Sequence, residues 1–171
     1  IAYEKASVIK EGVPVVSSPQ HPDALRMISW MAACRASPLS VSGRDFHSEC
    51  LRRDLQGTTV RLSSLCSEVR VGMLGRYQCQ NAGVAAECAL RLSGFEVARE
   101  AVEKGLAEAR WPGRLDVVRQ RPLTVLDVTH TSEGARAIST ELDLFPGSPR
   151  VLVAGMLKDK DARGVMAELA P

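Results

Sequence analysis

The stretch Leu123 to Gly134, Leu-Thr-Val-Leu-Asp-Val-Thr-His-Thr-Ser-Glu-Gly, is the most informative arrangement of reactive side chains in the chain. An apolar strand runs into Asp127, a polar turn carries His130, and Thr131-Ser132 caps a helix whose free N–H groups suit an anion. Ligands of open α/β sheets collect at the carboxyl ends of strands, which is where Asp127 and His130 fall. The same residues also admit a plainer reading, in which Asp127 fixes the turn and His130 is a solvated loop residue. Other chemistries drop out on spacing. No Gly-Lys dipeptide occurs, so a G-x-x-x-x-G-K-[ST] phosphate loop is absent from this chain. His21, His47 and His130 are far apart and form no H-x-x-x-H pair, which argues against a zinc hydrolase, and there is no G-x-S-x-G elbow.

The composition narrows the partners. With 45% hydrophobic and 25% charged residues, the 171-residue chain is globular and long enough for a sizeable core. Lys plus Arg is 22 against 20 for Asp plus Glu, so no basic excess exists to neutralise phosphates, and aromatics at 4% are too few for stacking platforms. No nucleic-acid partner is expected. No apolar run reaches the roughly 18 to 20 residues of a bilayer span, so no membrane partner is expected either. Five cysteines, odd in number and without a C-x-x-C pair, predict a reduced, cytoplasmic chain rather than a disulfide framework or zinc cluster. The chain starts with Ile1 inside what reads as a helix, so it is expected to be a piece of a longer protein.

The elements that carry these residues follow from period and punctuation. Ala2 to Lys10 reads as the last turns of a helix, followed by a strand at Val13 to Val16, a helix from Pro22 through Arg35, and a strand at Pro38 to Val41. Arg44 to Gln56 has no clean period. Thr58 to Leu62 and Val69 to Met73 alternate as strands of a hairpin or small antiparallel sheet. Ala85, Cys88, Ala89 and Leu92 then mark one helix face, and Ala98, Ala101, Val102, Gly105 and Ala109 mark the face of a second helix that Pro112-Gly113 ends. Beyond it come strands at Leu115 to Val118 and Leu123 to Val128, a helix from Ser132 to Leu142, a strand at Val151 to Ala154 and a helix from Asp161 to Leu169. That alternation predicts an α/β unit with a parallel sheet, and a domain boundary at about Trp111 to Gly113.

Taken in order, Glu4-Lys5-Ala6-Ser7-Val8-Ile9-Lys10, Leu74-Gly75-Arg76-Tyr77-Gln78-Cys79-Gln80-Asn81, Trp111-Pro112-Gly113-Arg114-Leu115, Asp127-Val128-Thr129-His130 and Leu157-Lys158-Asp159-Lys160-Asp161 form a recognisable series. It resembles the folylpolyglutamate synthase/dihydrofolate synthase family of the Mur ligase superfamily, over almost the whole chain. The W-P-G-R-L and E-K-A-x-x-I-K matches are specific to that branch; the D-x-x-H turn and the helix-opening Asn belong to the superfamily at large. The fold implied is α/β: residues 1–112 as the rear of a P-loop ATPase domain, and 113–171 as the first part of a Rossmann-like C-terminal domain.

The resemblance implies an ATP- and Mg2+-dependent amide ligase that adds L-glutamate to a folate or dihydropteroate carboxylate, acting as a monomer. A carboxylate is a poor electrophile; transfer of phosphate to its oxygen supplies a leaving group, and the amine then displaces it. In this reading Lys5 matches a lysine carried as a carbamate, a metal ligand and catalytic group. Asn81, Arg114 and Asp127 match nucleotide-binding residues, with Arg114 reaching the phosphates when the domains close about Pro112-Gly113. His130 matches a residue that approaches the phosphates, and Lys160 one near the incoming glutamate or the phosphate. The turn departs from the family pattern, since His130-Thr131-Ser132-Glu133-Gly134 stands where His-Asn-Pro-Asp/Glu-Gly is usual. A fragment lacking the phosphate loop is expected to be inactive alone. Two other functions compete: a non-catalytic remnant or binding module of the same fold, and a cell-wall amino-acid ligase of the same superfamily, against which Trp111-Pro112-Gly113-Arg114 argues.

Overall fold

The computed structural model describes residues 1–170. In chain order its elements are α1 (Ala2–Ala6), β1 (Val15–Ser17), α2 (Pro22–Cys34), β2 (Leu39–Val41), β3 (Ser48–Asp54), β4 (Gly57–Leu62) and β5 (Ser67–Val71). There follow α3 (Tyr77–Leu90), α4 (Arg99–Glu108), β6 (Asp116–Gln120), β7 (Leu123–Leu126), α5 (Ser132–Ser139), a 3-10 turn (Leu142–Leu144) and α6 (Ala162–Leu169).

Pro22 at the first helical position and the His21 ring accepting from the Asp23 amide start α2, which crosses over between the parallel strands β1 and β2. Ala6 and Ile9 from the first segment bury against Met31 and Ala32 of α2. The central sheet is antiparallel in the order β3-β4-β5. Side chains alternate across a strand, so Thr58, Val60 and Leu62 of β4 and Val69 and Val71 of β5 point into the core, under Cys79, Ala82 and Ala86 of α3 and Val102 of α4. On the solvent face Arg61 lies between its register partners Glu49 and Glu68, bonding them at 2.7 and 2.8 Å. Such exposed pairs fix register more than they stabilise.

A third apolar cluster joins the two halves of the chain. Leu74, just past β5, packs with Leu115, Ile138 and Phe145, and Leu55, Tyr77, Val117, Val125 and Leu142 close around them. Helices α5 and α6 are tied by Arg136 to Glu168 at 2.8 Å and by the Ser132 hydroxyl to Asp161 at 3.3 Å.

Several expectations are corrected. Arg44 to Gln56 does contain a strand, β3; its period is hidden because the register slips between Cys50 and Arg52, leaving Leu51 as the extra residue of a bulge. β6 and β7 pair antiparallel, not parallel, since only Arg121 and Pro122 separate them and a parallel crossover needs a dozen residues or so. Val151 to Ala154 is no strand: nothing pairs with it among the described residues, and Val151 and Val153 are exposed. The helix expected to reach Leu142 ends at Ser139, where the chain turns to bring Glu141 inward. On α3 the buried face is Cys79, Ala82, Gly83 and Ala86, with Ala85, Cys88 and Leu92 exposed. The phase shifts because Glu87 also belongs to the core side, where its carboxylate accepts the Ser64 hydroxyl and pairs with the Arg91 guanidinium. On α4 Val102 is buried and Leu106 half-buried, whereas Ala98, Ala101 and Gly105 are exposed.

Candidate functional site

A cleft of about 440 Å3 opens between the start of α3 and α5. Met73, Tyr77, Gln78 and Asn81 form one wall, Gly134, Ala137 and Ile138 the other, and Trp111, Arg114, Asp127 and Thr129 lie between them.

Each wall has a local cause. Gly75, at φ +109°, turns the chain into α3, and the Tyr77 ring lies across it so closely that a Cβ there would meet ring carbon Cε1 at 2.6 Å. Burial, with the Asp127 charge adding to it, pushes the Tyr77 phenol up to about 12, so it remains a neutral hydrogen-bonding group at physiological pH. The Asn81 side-chain amide donates to Gln78 Oε1 at 2.9 Å, leaving its own carbonyl oxygen to the cleft. In the connection the Arg114 amide donates to the Trp111 carbonyl at 3.2 Å, closing a turn that puts the indole and the guanidinium into the same cleft. Trp111 is two-thirds exposed, and Arg114 has no ion-pair partner among the described residues. An unpaired guanidinium beside an uncovered aromatic face suits a flat, anionic ligand.

Asp127 accepts the Leu115 amide at 2.9 Å on one oxygen and the Thr129 amide at 2.7 Å on the other. It therefore holds both its own turn and the left-handed Leu115, at φ 45°, that opens the approach to β6. The turn-fixing role is thus real, and it coexists with a place in the cleft lining. Thr131 caps α5 by accepting the Gly134 amide at 3.1 Å. A Cβ on Gly134 would meet the Thr129 hydroxyl oxygen at 2.1 Å, so only glycine lets the turn close against the helix.

The structure brings Asn81, Arg114 and Asp127 to one cleft from three separate segments. His130 follows the lining residue Thr129; it is exposed, with ring Nδ1 3.2 Å from the Val128 carbonyl oxygen, to which it donates in the Nδ1–H tautomer. Lys160 stands outside the lining, its ammonium 2.9 Å from Asp159, beside Asp161, which bonds Ser132 at the start of α5. Lys5 is exposed on α1 and does not reach the cleft. Among the described residues no three His, Cys, Asp or Glu side chains converge as a metal site. Lys5 with Glu4 beside it does not make a magnesium site within this chain. Burial pushes the Cys79 thiol up, away from the thiolate form that a nucleophile needs. Tyr77 and Trp111 stand in the motif series without a role, yet both line the cleft; the sequence signal for Trp111 is an aromatic beside a Pro-Gly turn, where no core needs it.

No family model matches the chain. The chain is 33% identical over 177 residues to the dihydrofolate synthase/folylpolyglutamate synthase of Bacillus subtilis (strain 168), a match covering 99% of this chain and 41% of that protein. It superposes on a Mycobacterium tuberculosis folylpolyglutamate synthase complexed with ADP and AMPPCP with a TM-score of 0.86 and 26% identity, over 98% of this chain and 40% of that one. A folylpolyglutamate synthase in an AMPPCP–folate complex matches with a TM-score of 0.84 and 28% identity, over 98% of this chain and 42% of that one. The chain thus spans about two fifths of the length of the relatives it matches. Agreement of sequence and of mixed α/β fold across nearly all of its residues makes the chain a member of the folylpolyglutamate synthase/dihydrofolate synthase family.

Proposed function

We propose that the protein containing this chain is an ATP-dependent ligase that joins L-glutamate to a folate or dihydropteroate carboxylate through an acyl phosphate. The observation that carries this reading is the convergence of Asn81, Arg114 and Asp127 with Trp111 on one cleft, in a chain whose relatives include structures complexed with ADP, AMPPCP and folate. Residues 1–112 supply the rear of the ATPase domain in this proposal, and 113–171 the first part of the C-terminal domain. Trp111 offers its face to the base. Arg114 offers a planar fork to phosphoryl oxygens, the contact that gains most as charge spreads over them in the transition state. Asn81 presents an amide oxygen to the nucleotide, and Asp127 orients the turn that faces the sugar. His130 and Lys160 flank the start of α5, where phosphate and incoming glutamate meet. The protein is cytoplasmic in this reading, in keeping with five free thiols; among the described residues no helix is long and apolar enough to cross a membrane.

The test is product analysis. The full-length protein, given ATP, L-glutamate and dihydropteroate or a reduced folate, is expected to release one phosphate per glutamate added, with the acceptor gaining the mass of one glutamyl residue. ATP-independent addition, or no addition to either acceptor by folded protein, would overturn the proposal and favour a binding module of the same fold.

A further inference from the structure

We infer that Glu141 is a positioning residue that sets the spacing of the two walls of the cleft, acting through Arg53 and the Arg76 amide. The inference rests on reading the cleft as the ATP site and adds to it a residue that touches no substrate. Glu141 is 1% exposed and is among the largest fully buried side chains of the molecule. One of its carboxylate oxygens accepts the backbone amide of Arg76 at 2.8 Å, and the other pairs with the Arg53 guanidinium, whose second nitrogen reaches Asp143 at 3.0 Å.

Arg76 is the residue immediately before α3, a helix with no side-chain cap of its own, so the cap comes from a carboxylate 65 residues further along. Tyr77, Gln78 and Asn81 of that helix start form one wall of the cleft. Ala137 and Ile138, just upstream of Glu141 on α5, form the other. One carboxylate therefore holds both walls.

The surroundings make this choice informative. The interface is otherwise apolar, built from Leu74, Leu115, Ile138 and Phe145. Apolar contacts hold surfaces together without fixing their offset, whereas charge-assisted hydrogen bonds are short and directional. A buried ion pair is weak evidence for stability, because desolvation offsets its attraction and an apolar pair of similar volume does as well. What the apolar pair cannot do is fix the start of α3 against α5.

The test uses the full-length protein and three variants: Glu141→Asp, which keeps the charge but is one methylene too short to bridge both partners, Glu141→Gln, which keeps an acceptor for the Arg76 amide, and the double replacement Arg53→Met with Glu141→Met. AMPPCP affinity and the KM values for ATP and glutamate are measured beside the thermal midpoint. Glu141→Asp and the double variant are expected to bind AMPPCP roughly tenfold more weakly, the scale of one misplaced charge-assisted contact. KM for ATP rises with it, KM for glutamate stays, and Glu141→Gln retains most of the affinity. A residue that merely supports folding would lower the amount of active enzyme, and so kcat, with KM for ATP unchanged. If the double variant does not fold, Glu141→Asp decides alone. Wild-type AMPPCP affinity in Glu141→Asp overturns the inference while leaving the ATP reading intact; a wild-type protein that binds no AMPPCP overturns both.

Discussion

Replacing Gly113 by alanine separates two costs that the structure predicts at the residue preceding Arg114. Gly113 sits at φ +74°, and a Cβ built on it would lie 2.8 Å from Val128 Cγ1. The left-handed backbone costs an alanine about 1 kcal/mol. Pushing Val128 back adds about 1 to 2 kcal/mol by the ordinary scale of overpacking, because its position is fixed by its own amide bonding the Gly113 carbonyl at 2.9 Å. Gly113→Ala is therefore expected to cost about 2 to 3 kcal/mol. Gly94, at φ +80° with nothing within 4 Å of the same construction, is the internal control, and Gly94→Ala should cost only about 1 kcal/mol. Urea unfolding of both variants, of Val128→Ala and of Gly113→Ala with Val128→Ala completes a double-mutant cycle. The truncated Val128, more than half exposed in the native chain, should return about 1 to 2 kcal/mol to the Gly113 variant. Equal costs at Gly94 and Gly113, or no recovery in the double variant, would refute the contact argument.

Leu74→Ala, which opens the cluster joining the two halves, is expected to cost about 2 to 5 kcal/mol and to destabilise both halves in one transition; two resolved transitions would mean that they do not share a core. In an ultraviolet difference titration against Tyr77→Phe, the Tyr77 phenolate should form near pH 12 rather than 10.0. Since the fold favours the protonated phenol, the stability it contributes is complete below pH 10.0 and is lost as pH rises through about 12. Asp54 and Asp143 are held below the usual 3.8 by the Arg70 and Arg53 guanidinium groups. Their stabilisation is present above pH 3.8 and is lost as pH falls through the lowered values, so the decline of the unfolding midpoint in acid should be shallower in Asp54→Asn and Asp143→Asn.

The parts of the fold that were legible in the sequence are those in which local signals agree. Pro22 after His21 opens α2, Thr131 and Asp161 cap α5 and α6, and the alternation of Thr58, Val60 and Leu62 reads directly as a strand. What was hidden depended on partners distant in sequence. The bulge at Leu51 breaks the period of β3, and the burial of Glu87 turns the core face of α3 away from the Ala85–Cys88 stripe. The pairing of β6 with β7 follows from the two-residue connection, which outweighs a strand–helix alternation that suggests a parallel sheet. For the cleft, Asn81, Arg114 and Asp127 came from a motif series, and their convergence required the structure. Nothing local marks Glu141 as the group that joins Arg53 to the start of α3, because neither partner lies within 60 residues of it in the chain.

The most direct test of whether ATP binds between α3 and α5 is calorimetric titration of AMPPCP into the full-length protein and its Arg114→Ala variant. A charge-assisted hydrogen bond is worth about 1.5 to 3 kcal/mol, so the variant should bind about ten- to a hundredfold more weakly while keeping its thermal midpoint. Equal affinity in the two proteins would place the nucleotide elsewhere and leave Arg114 a surface residue.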